Sequence, residues 1–518
     1  MRHIGPCLAV LGLAACTFSK TDDTADPSGA GGSGQGGATT TSSAPPDGAT
    51  TSGEGTGGSG QIDLPTDDQF DEDSTGDDAL PMTVTAPTEL IPKDGSLVAI
   101  TADDRLLYST PDGLYTTKAV VGATTRKAAS IAGNAYAKGR VVFNFAKVDY
   151  DTGTGALTFW TPPHGRRFGG TAVIGEASIA ARRDDERILF LDAPTPTTAS
   201  VVVASTDGAK AFHLLEGVGR GGMDTCGPSL GFAGDAAIVA WCHPGSMQAT
   251  ISRFTEDATG AWTRDDITDS AQGPWSSDAA GKRLFYVSSQ VEGMVVDLVT
   301  KEQTKIGSGV AWGRLTEAGD AVFFTVGDQL RRSDMSASAI PIVVDGFQQA
   351  VAWSADDAKV LYSSQVVYTD SAKQDLRSST TAYFNPSPAT LVAGATATLG
   401  RSPMTSDGAF ALFLTDLGAT GGTLHAAPLG GGAGSTLEGV DTVVAAKGSL
   451  VVITDNRTPP DVFPPLVDMK LYDAATGAAP TLLEAGILDG RDILVRSDKA
   501  VVAYRRDGDS KGLWIRPL

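Results

Sequence analysis

Residues 351–364 read VAWSADDAKVLYSS, and the order of residue types in that stretch decides the fold. An apolar run ends at Trp353, Ser354-Ala355-Asp356-Asp357 is a polar turn, and Val360-Leu361-Tyr362 leads out again. Two short apolar runs separated by turn residues describe a β-hairpin, since a helix would need a 3.6-residue period over a longer span. The phrase returns as VAITADDRLLYST at 98–110, IAARRDDERILFLD at 179–192, LGFAGDAAIVAWC at 230–242 and PWSSDAAGKRLFYVS at 274–288. It recurs as VAWGRLTEAGDAVFFTV at 310–326, PMTSDGAFALFLTD at 403–416 and LVRSDKAVVAYRR at 494–506, with weaker copies at 138–145 and 447–454.

A second turn follows several copies, as Asp151-Thr152-Gly153, Asp297-Leu298-Val299-Thr300 and Asp473-Ala474-Ala475-Thr476-Gly477. Two hairpins per repeat make four strands, and four-stranded units recurring every ~40–50 residues are expected to be propeller blades. The expectation is therefore an all-β chain forming a single β-propeller of four-stranded antiparallel blades. Ten motif starts are visible; with the two weak copies discounted, seven to eight blades are expected. Trp275, Trp312 and Trp353 precede Phe285, Phe323 and Tyr362 at similar spacing, which predicts large side chains recurring at one layer of each sheet.

The phrase resembles TolB-type and WD-like β-propeller repeats, in which an apolar strand leads into Ser-Pro-Asp-Gly and then into apolar residues ending in an aromatic. Trp353-Ser354-Ala355-Asp356-Asp357 and Thr405-Ser406-Asp407-Gly408 are nearest to it, with Ala355 and Ser406 where those repeats carry Pro. The resemblance spans residues 88–518 and implies architecture. It does not imply an activity, because one scaffold hosts unrelated functions.

Charge and glycine divide the chain of 518 residues unevenly. The net charge is -21, yet residues 20–80 hold thirteen acids against Lys20 and contribute -12, which leaves only -10 for residues 81–518. An acidic chain lacks the basic face that releases counterions from phosphate polymers, so nucleic acid is excluded as a partner. Residues 16–80 are Gly, Ser, Thr, Ala, Pro and Asp with little to bury, the composition of a disordered tether.

Residues 1–15 open with Arg2 and carry a short apolar run from Leu8 to Leu13, too short to span a bilayer and expected to be a signal peptide. Leu13-Ala14-Ala15-Cys16 resembles the lipobox of bacterial lipoproteins, which implies lipidation of Cys16 and attachment to a membrane through that anchor. An ordinary secretory signal with a Cys near its end is the alternative. Thr17 stands where the inner-membrane retention signal of such lipoproteins has Asp, so the resemblance implies the outer membrane of a bacterial cell envelope, its periplasmic or surface face left open. Cys226 and Cys242 remain, and an exported chain with an even pair of Cys is expected to bridge them; two buried free thiols are the alternative.

Catalytic patterns are sparse. Gly227-Pro228-Ser229-Leu230-Gly231 has the letters of a nucleophile elbow without the following helix. Gly217-Val218-Gly219-Arg220-Gly221-Gly222 has the letters of a phosphate loop without its strand-and-helix setting. His164, His213, His243 and His425 are scattered, and each is expected to be an ordinary strand or loop residue. Asp149, Asp151, Gly153 and Gly155 faintly suggest a Ca²⁺ loop, with Trp160 where the bidentate Glu belongs; no other cofactor is expected. The function expected is non-catalytic binding or scaffolding of a protein or envelope polymer. The alternative is a propeller enzyme of hydrolase, lactonase or lyase type whose site is assembled from several blades.

Overall fold

The computed structural model describes most of residues 84–518 together with Gln61 and Ile62. Residues 1–60, 63–83 and several inter-strand stretches, among them 148–154, 172–178, 220–225, 382–388 and 459–464, lie outside the described residues. All regular elements among the described residues are β-strands, and every strand pairs antiparallel with its neighbour. The chain is an all-β propeller of four-stranded antiparallel blades.

The described strands form ten such blades. Blade 1 spans 96–129, blade 2 134–171, blade 3 179–219, blade 6 310–344, blade 7 347–395 and blade 8 398–440. Blades 4 and 5 are joined by one long strand, Trp262–Ser277, whose first half pairs back onto Ala249–Glu256 as the fourth strand of blade 4. Its second half pairs forward onto Arg283–Ser288 as the first strand of blade 5. Blade 9 spans 442–488 and touches blade 10 through the single pair Ile487 and Arg506. Blade 10 takes its first three strands from 494–517, and its fourth is Thr88–Ile91 from before blade 1, paired antiparallel with Gly512–Pro517.

The count departs from the seven to eight expected. Both weak copies are real turns. Residues 138 and 141 close the first hairpin of blade 2, and Ala446 N donates to Leu450 O (2.9 Å) across a shortened turn in blade 9. They look weak because both lack the Asp of the turn and the copy at 447–454 also lacks the large aromatic, neither of which strand pairing requires.

First strands of several neighbouring blades touch, and Ser96–Ile100 of blade 1 also touches Leu494–Arg496 and Val501–Arg506 of blade 10, so the last blade meets the first. Each second strand lies between two neighbouring blades. In blade 5, Leu284 and Tyr286 pack toward blade 4 while Phe285 and Val287 pack toward blade 6. In blade 8, Ala411 and Phe413 face blade 7 while Leu412 and Leu414 face blade 9. In blade 10, Val502 and Tyr504 join blade 9, and Ala503 joins Leu97, Leu106 and Tyr108 of blade 1. Both faces of the strand are therefore dry. That explains why second strands such as Ala236–Trp241 are apolar throughout instead of alternating with polar residues. The fourth strand of blade 5 is largely exposed and that of blade 8 half-buried.

The repeated phrase is a six-residue turn. Its first residue is Asp278, Thr316, Ser354 or Thr405, each buried, and the side-chain oxygen accepts the backbone N–H of the sixth residue. The distances are 2.9 Å from Arg283, 3.2 Å from Ala321, 2.9 Å from Lys359 and 3.1 Å from Phe410. The fourth residue is left-handed in every case: Gly281 (φ 65°), Gly319 (71°), Asp357 (56°) and Gly408 (63°). Glycine takes that conformation without a Cβ penalty. Asp357 replaces it in blade 7 because its carboxylate pairs with Arg314 of blade 6, whose guanidinium lies 4.7 Å from the centre of the Trp353 ring. The turns also bond to one another: Ala279 N donates to Glu317 O (2.9 Å), and the Ser406 hydroxyl donates to Gly448 O (3.3 Å).

The three tryptophans do not share one place. Trp275 packs with the blade 4 side of blade 5 and Trp353 with the blade 6 side of blade 7, whereas Trp312 faces forward from blade 6 onto blade 7. The first strand of blade 6 carries a single one-residue bulge, which turns a side chain to the opposite face, whereas the shifts in the first strands of blades 5 and 7 amount to two residues and restore it.

A Cβ at Gly281 would stand 2.3 Å from the Ala233 carbonyl of blade 4, while Gly327, also left-handed (φ 60°), faces open space. Gly327→Ala is expected to cost about 1 kcal/mol from backbone strain alone, and Gly281→Ala well over about 2 kcal/mol because blades 4 and 5 must also separate. Urea denaturation of the two variants measures the difference.

Candidate binding face

Antiparallel order puts the first and third turns of every blade on one face. The second turns and the blade-to-blade connectors lie on the other. The first face is the belt of six-residue turns, whose polar groups are largely spent on one another. Exposed large apolar side chains stand on both faces, Val299 and Ile340 on the turn face and Met247, Val291 and Leu417 on the connector face.

The best-built part of the connector face is in blade 4. Cys226, in the connector entering the blade, is disulfide-bonded to Cys242 at the end of the second strand, with Cα atoms 5.6 Å apart. Cys226 N donates to Ser246 O (3.2 Å) and Gly219 N to Cys242 O (2.8 Å), so loop 242–248 is tied to both sides of the connector. Met247 stands 60% exposed at its tip. Beneath it the Trp241 indole N–H donates to the Ser252 hydroxyl (2.9 Å), which donates to Asp266 (2.6 Å). Arg264 binds both oxygens of Asp266 (2.7 and 2.8 Å) and lies 4.9 Å from the Trp241 ring centre. Burial pushes the Asp266 carboxyl up, but the bonds from Arg264 and Ser252 together with the Arg264 charge outweigh it and hold it below the usual range. His243 meets the edge of Trp241 at 4.7 Å.

Two further apolar side chains project from second turns, Val291 of blade 5 (44% exposed) and Leu417 of blade 8 (51%). Val291 is left-handed, φ 60°. A β-branched residue rarely adopts that conformation, which is strained. Its backbone is held by Val291 N to Ser288 O (2.9 Å) and Val310 N to Val291 O (3.0 Å). Those bonds use main chain only, so nothing in the packing calls for an isopropyl group there.

His425 lies in blade 8, its ring stacked on Phe413 at 4.9 Å and its Nε2 2.9 Å from the Thr415 hydroxyl. Burial pushes the imidazole below its usual value, against the opposing charge of Asp416. It borders a cleft of about 140 Å³ between blades 7 and 8, flanked by Gly431, Gly432 and Gly434. A larger cleft, about 420 Å³, opens between blades 4 and 5 on the turn face. Arg253 and Lys282 line it with Asp235, Glu256 and Asp257, and Arg187 pairs with Glu256 at 2.9 Å.

The other residues singled out in the sequence stay apart. Ser229 is exposed and opens a strand that continues into a second strand, with no helix. Gly231 is needed for packing, since a Cβ there would lie 2.6 Å from the Trp275 ring. His213 Nδ1 is 2.7 Å from Glu216 Oε1 in the fourth strand of blade 3, and His164 begins the fourth strand of blade 2. Gly217 and Gly219 end a strand, and Arg220, Gly221 and Gly222 lie outside the described residues. So do Cys16, Asp149, Asp151 and Gly153, while Gly155 opens a strand of blade 2. Among the described residues no group of three His, Cys, Asp or Glu side chains is placed to hold a metal ion. The left-handed Val291 left no trace in the sequence, because a turn valine reads like any other.

No family model and no curated protein sequence matches the chain. Among solved structures it is similar to the tricorn protease (9% identity, 83% of this chain and 61% of that one, TM-score 0.29). It is also similar to TolB from Acinetobacter baumannii (16%, 56% and 77%, 0.28) and to an oligogalacturonate lyase in complex with manganese (13%, 74% and 98%, 0.31). The chain spans about three fifths of the tricorn protease chain. Identities this low concern the fold alone.

Replacing Val291 with Asn, which tolerates the left-handed region, is expected to raise stability by about 1 kcal/mol in urea denaturation. His425 is expected to titrate below 6.5 by NMR. The folded chain then favours the neutral ring, so the His425 contribution to stability is full above 6.5 and is lost as pH falls through the depressed folded value. Its thermal midpoint should fall with pH across that window more steeply than that of His425→Gln.

Proposed function

We propose that the chain is an exported, lipid-anchored β-propeller that binds a protein or envelope polymer through its connector face. The observation that carries this reading is Val291: a strained, exposed, β-branched residue at a turn position where Gly or Asn would cost less. Strain of this kind persists where a side chain is wanted for contact. Met247 on its disulfide-tied loop and Leu417 supply the same chemistry elsewhere on the face, and rigid loops lose little entropy on binding. The Leu13-Ala14-Ala15-Cys16 motif supports the anchor, and the Gly- and Asp-rich stretch after it supports a solvated leash. Cation or cofactor chemistry has no part in this reading.

Envelope extracts passed over the natural chain should yield a partner that Met247→Asp and Val291→Asp each weaken at least about tenfold, the loss typical of an interface anchor. Leu482→Asp, on the exposed fourth strand of blade 9, should leave it bound. Equal retention by all variants would sink the reading. Cys16→Ala should release the protein from membranes, and continued partition with them would remove the anchor.

A further inference from the structure

Between residues 17 and 79 the chain contains one Ile, one Leu and no Val or Met, and the pair is Ile62 and Leu64. That is also where the structure shows the segment touching the propeller. Gln61 pairs with Phe212 and Ile62 with Ala211, forming a fifth strand on the outer edge of blade 3. Composition and strand pairing thus select the same spot independently. We propose that the outer edge of blade 3 is a strand-addition site and that its resident occupant is the chain's own segment around Gln61–Ile62, which fastens the leash to the rim.

An edge strand offers a row of unpaired N–H and C=O groups, and an extended peptide adds to it through main-chain bonds. The fourth strand of blade 3, AFHLLEGVG at Ala211–Gly219, has neither the Lys nor the Pro that blunts such edges. Leu214, Leu215 and Val218 are buried against blade 4, which makes the strand a firm template. The occupant is short for reasons written in its flanks. Gly57-Gly58-Ser59-Gly60 precede it with poor strand propensity, and Pro65 follows without an N–H to donate.

Two residue pairs bind weakly by themselves, but the segment is joined to the outer strand of blade 10 by the stretch 63–87. A covalent connection of this length gives effective concentrations in the millimolar range. Its own chain therefore outcompetes a second copy at micromolar protein. Fastening at Gln61 leaves 17–60 as the free leash, an r.m.s. reach of about 33–40 Å where the unfastened stretch to residue 87 would reach about 42–50 Å.

Hydrogen exchange on the full chain tests the proposal. The Ala211 amide, which the register turns away from the third strand and toward Ile62, should exchange about five- to tenfold more slowly in the natural protein than in the Gln61→Pro/Ile62→Pro variant. Amides of Val201–Val203 in the same blade should be unchanged. A synthetic peptide of residues 57–66 at millimolar concentration should restore protection to the variant. Equal exchange in the two proteins overturns the proposal, as does a peptide that restores nothing. Protection that rises with protein concentration alongside a dimer in sedimentation would assign the edge to a second copy and overturn the resident occupant.

Discussion

The constraint on which the rest depends is the burial of each second strand between two neighbouring blades. A four-stranded sheet by itself has two apolar faces and no core. Phe285 can be fully buried only because blade 6 covers it, and Tyr286 beside it only because blade 4 does. Truncating an aromatic at such a site costs about 3–5 kcal/mol, and the second strands of blades 4 to 10 each contribute residues to both of their interfaces. Closure follows from the same requirement. Ala503 and Leu513 of blade 10 would face water unless blade 1 returned to them with Leu97, Leu106 and Tyr108. The strand Thr88–Ile91, donated from the other end of the sequence to blade 10, fixes that return with main-chain bonds.

The six-residue turn solves a second problem, which is how to bring the blades close on the turn face. A left-handed fourth residue folds the turn tightly, and a buried hydroxyl or carboxylate at the first position satisfies the N–H of the sixth. The turns then nest: Gly281 lies against the Ala233 carbonyl and Gly319 against Asp278. Asp357 shows how much the geometry matters. It accepts left-handed strain because its carboxylate reaches Arg314 across the blade boundary, trading backbone comfort for an inter-blade ion pair.

Strand type, the four-strand unit and the turn chemistry were legible in the sequence because each repeats, and repetition lifts a local pattern above chance. Blade number was less legible. The copies at 138–145 and 447–454 keep strand pairing while losing the turn Asp, and the second also loses the aromatic, so a reader who weighs residue identity undercounts them. The direction of Trp312 was not legible, since a one-residue bulge reverses a side chain without changing the spacing of apolar residues. The closing strand was hidden for another reason. Nothing in Thr88-Glu89-Leu90-Ile91 says that its partner lies more than 400 residues away at Gly512–Pro517.

The candidate binding face was the least legible part, and the same constraint explains why. Inter-blade packing dictates second strands and first turns, so those residues repeat. Second turns and connectors are freed from packing, and whatever function they carry appears once per molecule and leaves no period to find. Among the described residues, non-glycine left-handed positions occur on both faces: Lys301, Asp357 and Ala500 on the turn face, and Val291, Asp416 and Asn456 on the connector face. Asp357 is accounted for by its ion pair, and Val291 alone of the six is β-branched. Asn456 donates to Asp468 (2.8 Å), and Asp416 is of a type that tolerates the conformation. Val291 has neither excuse. A side chain kept at a strained position, with no partner in the fold to explain it, is better accounted for by something outside the fold.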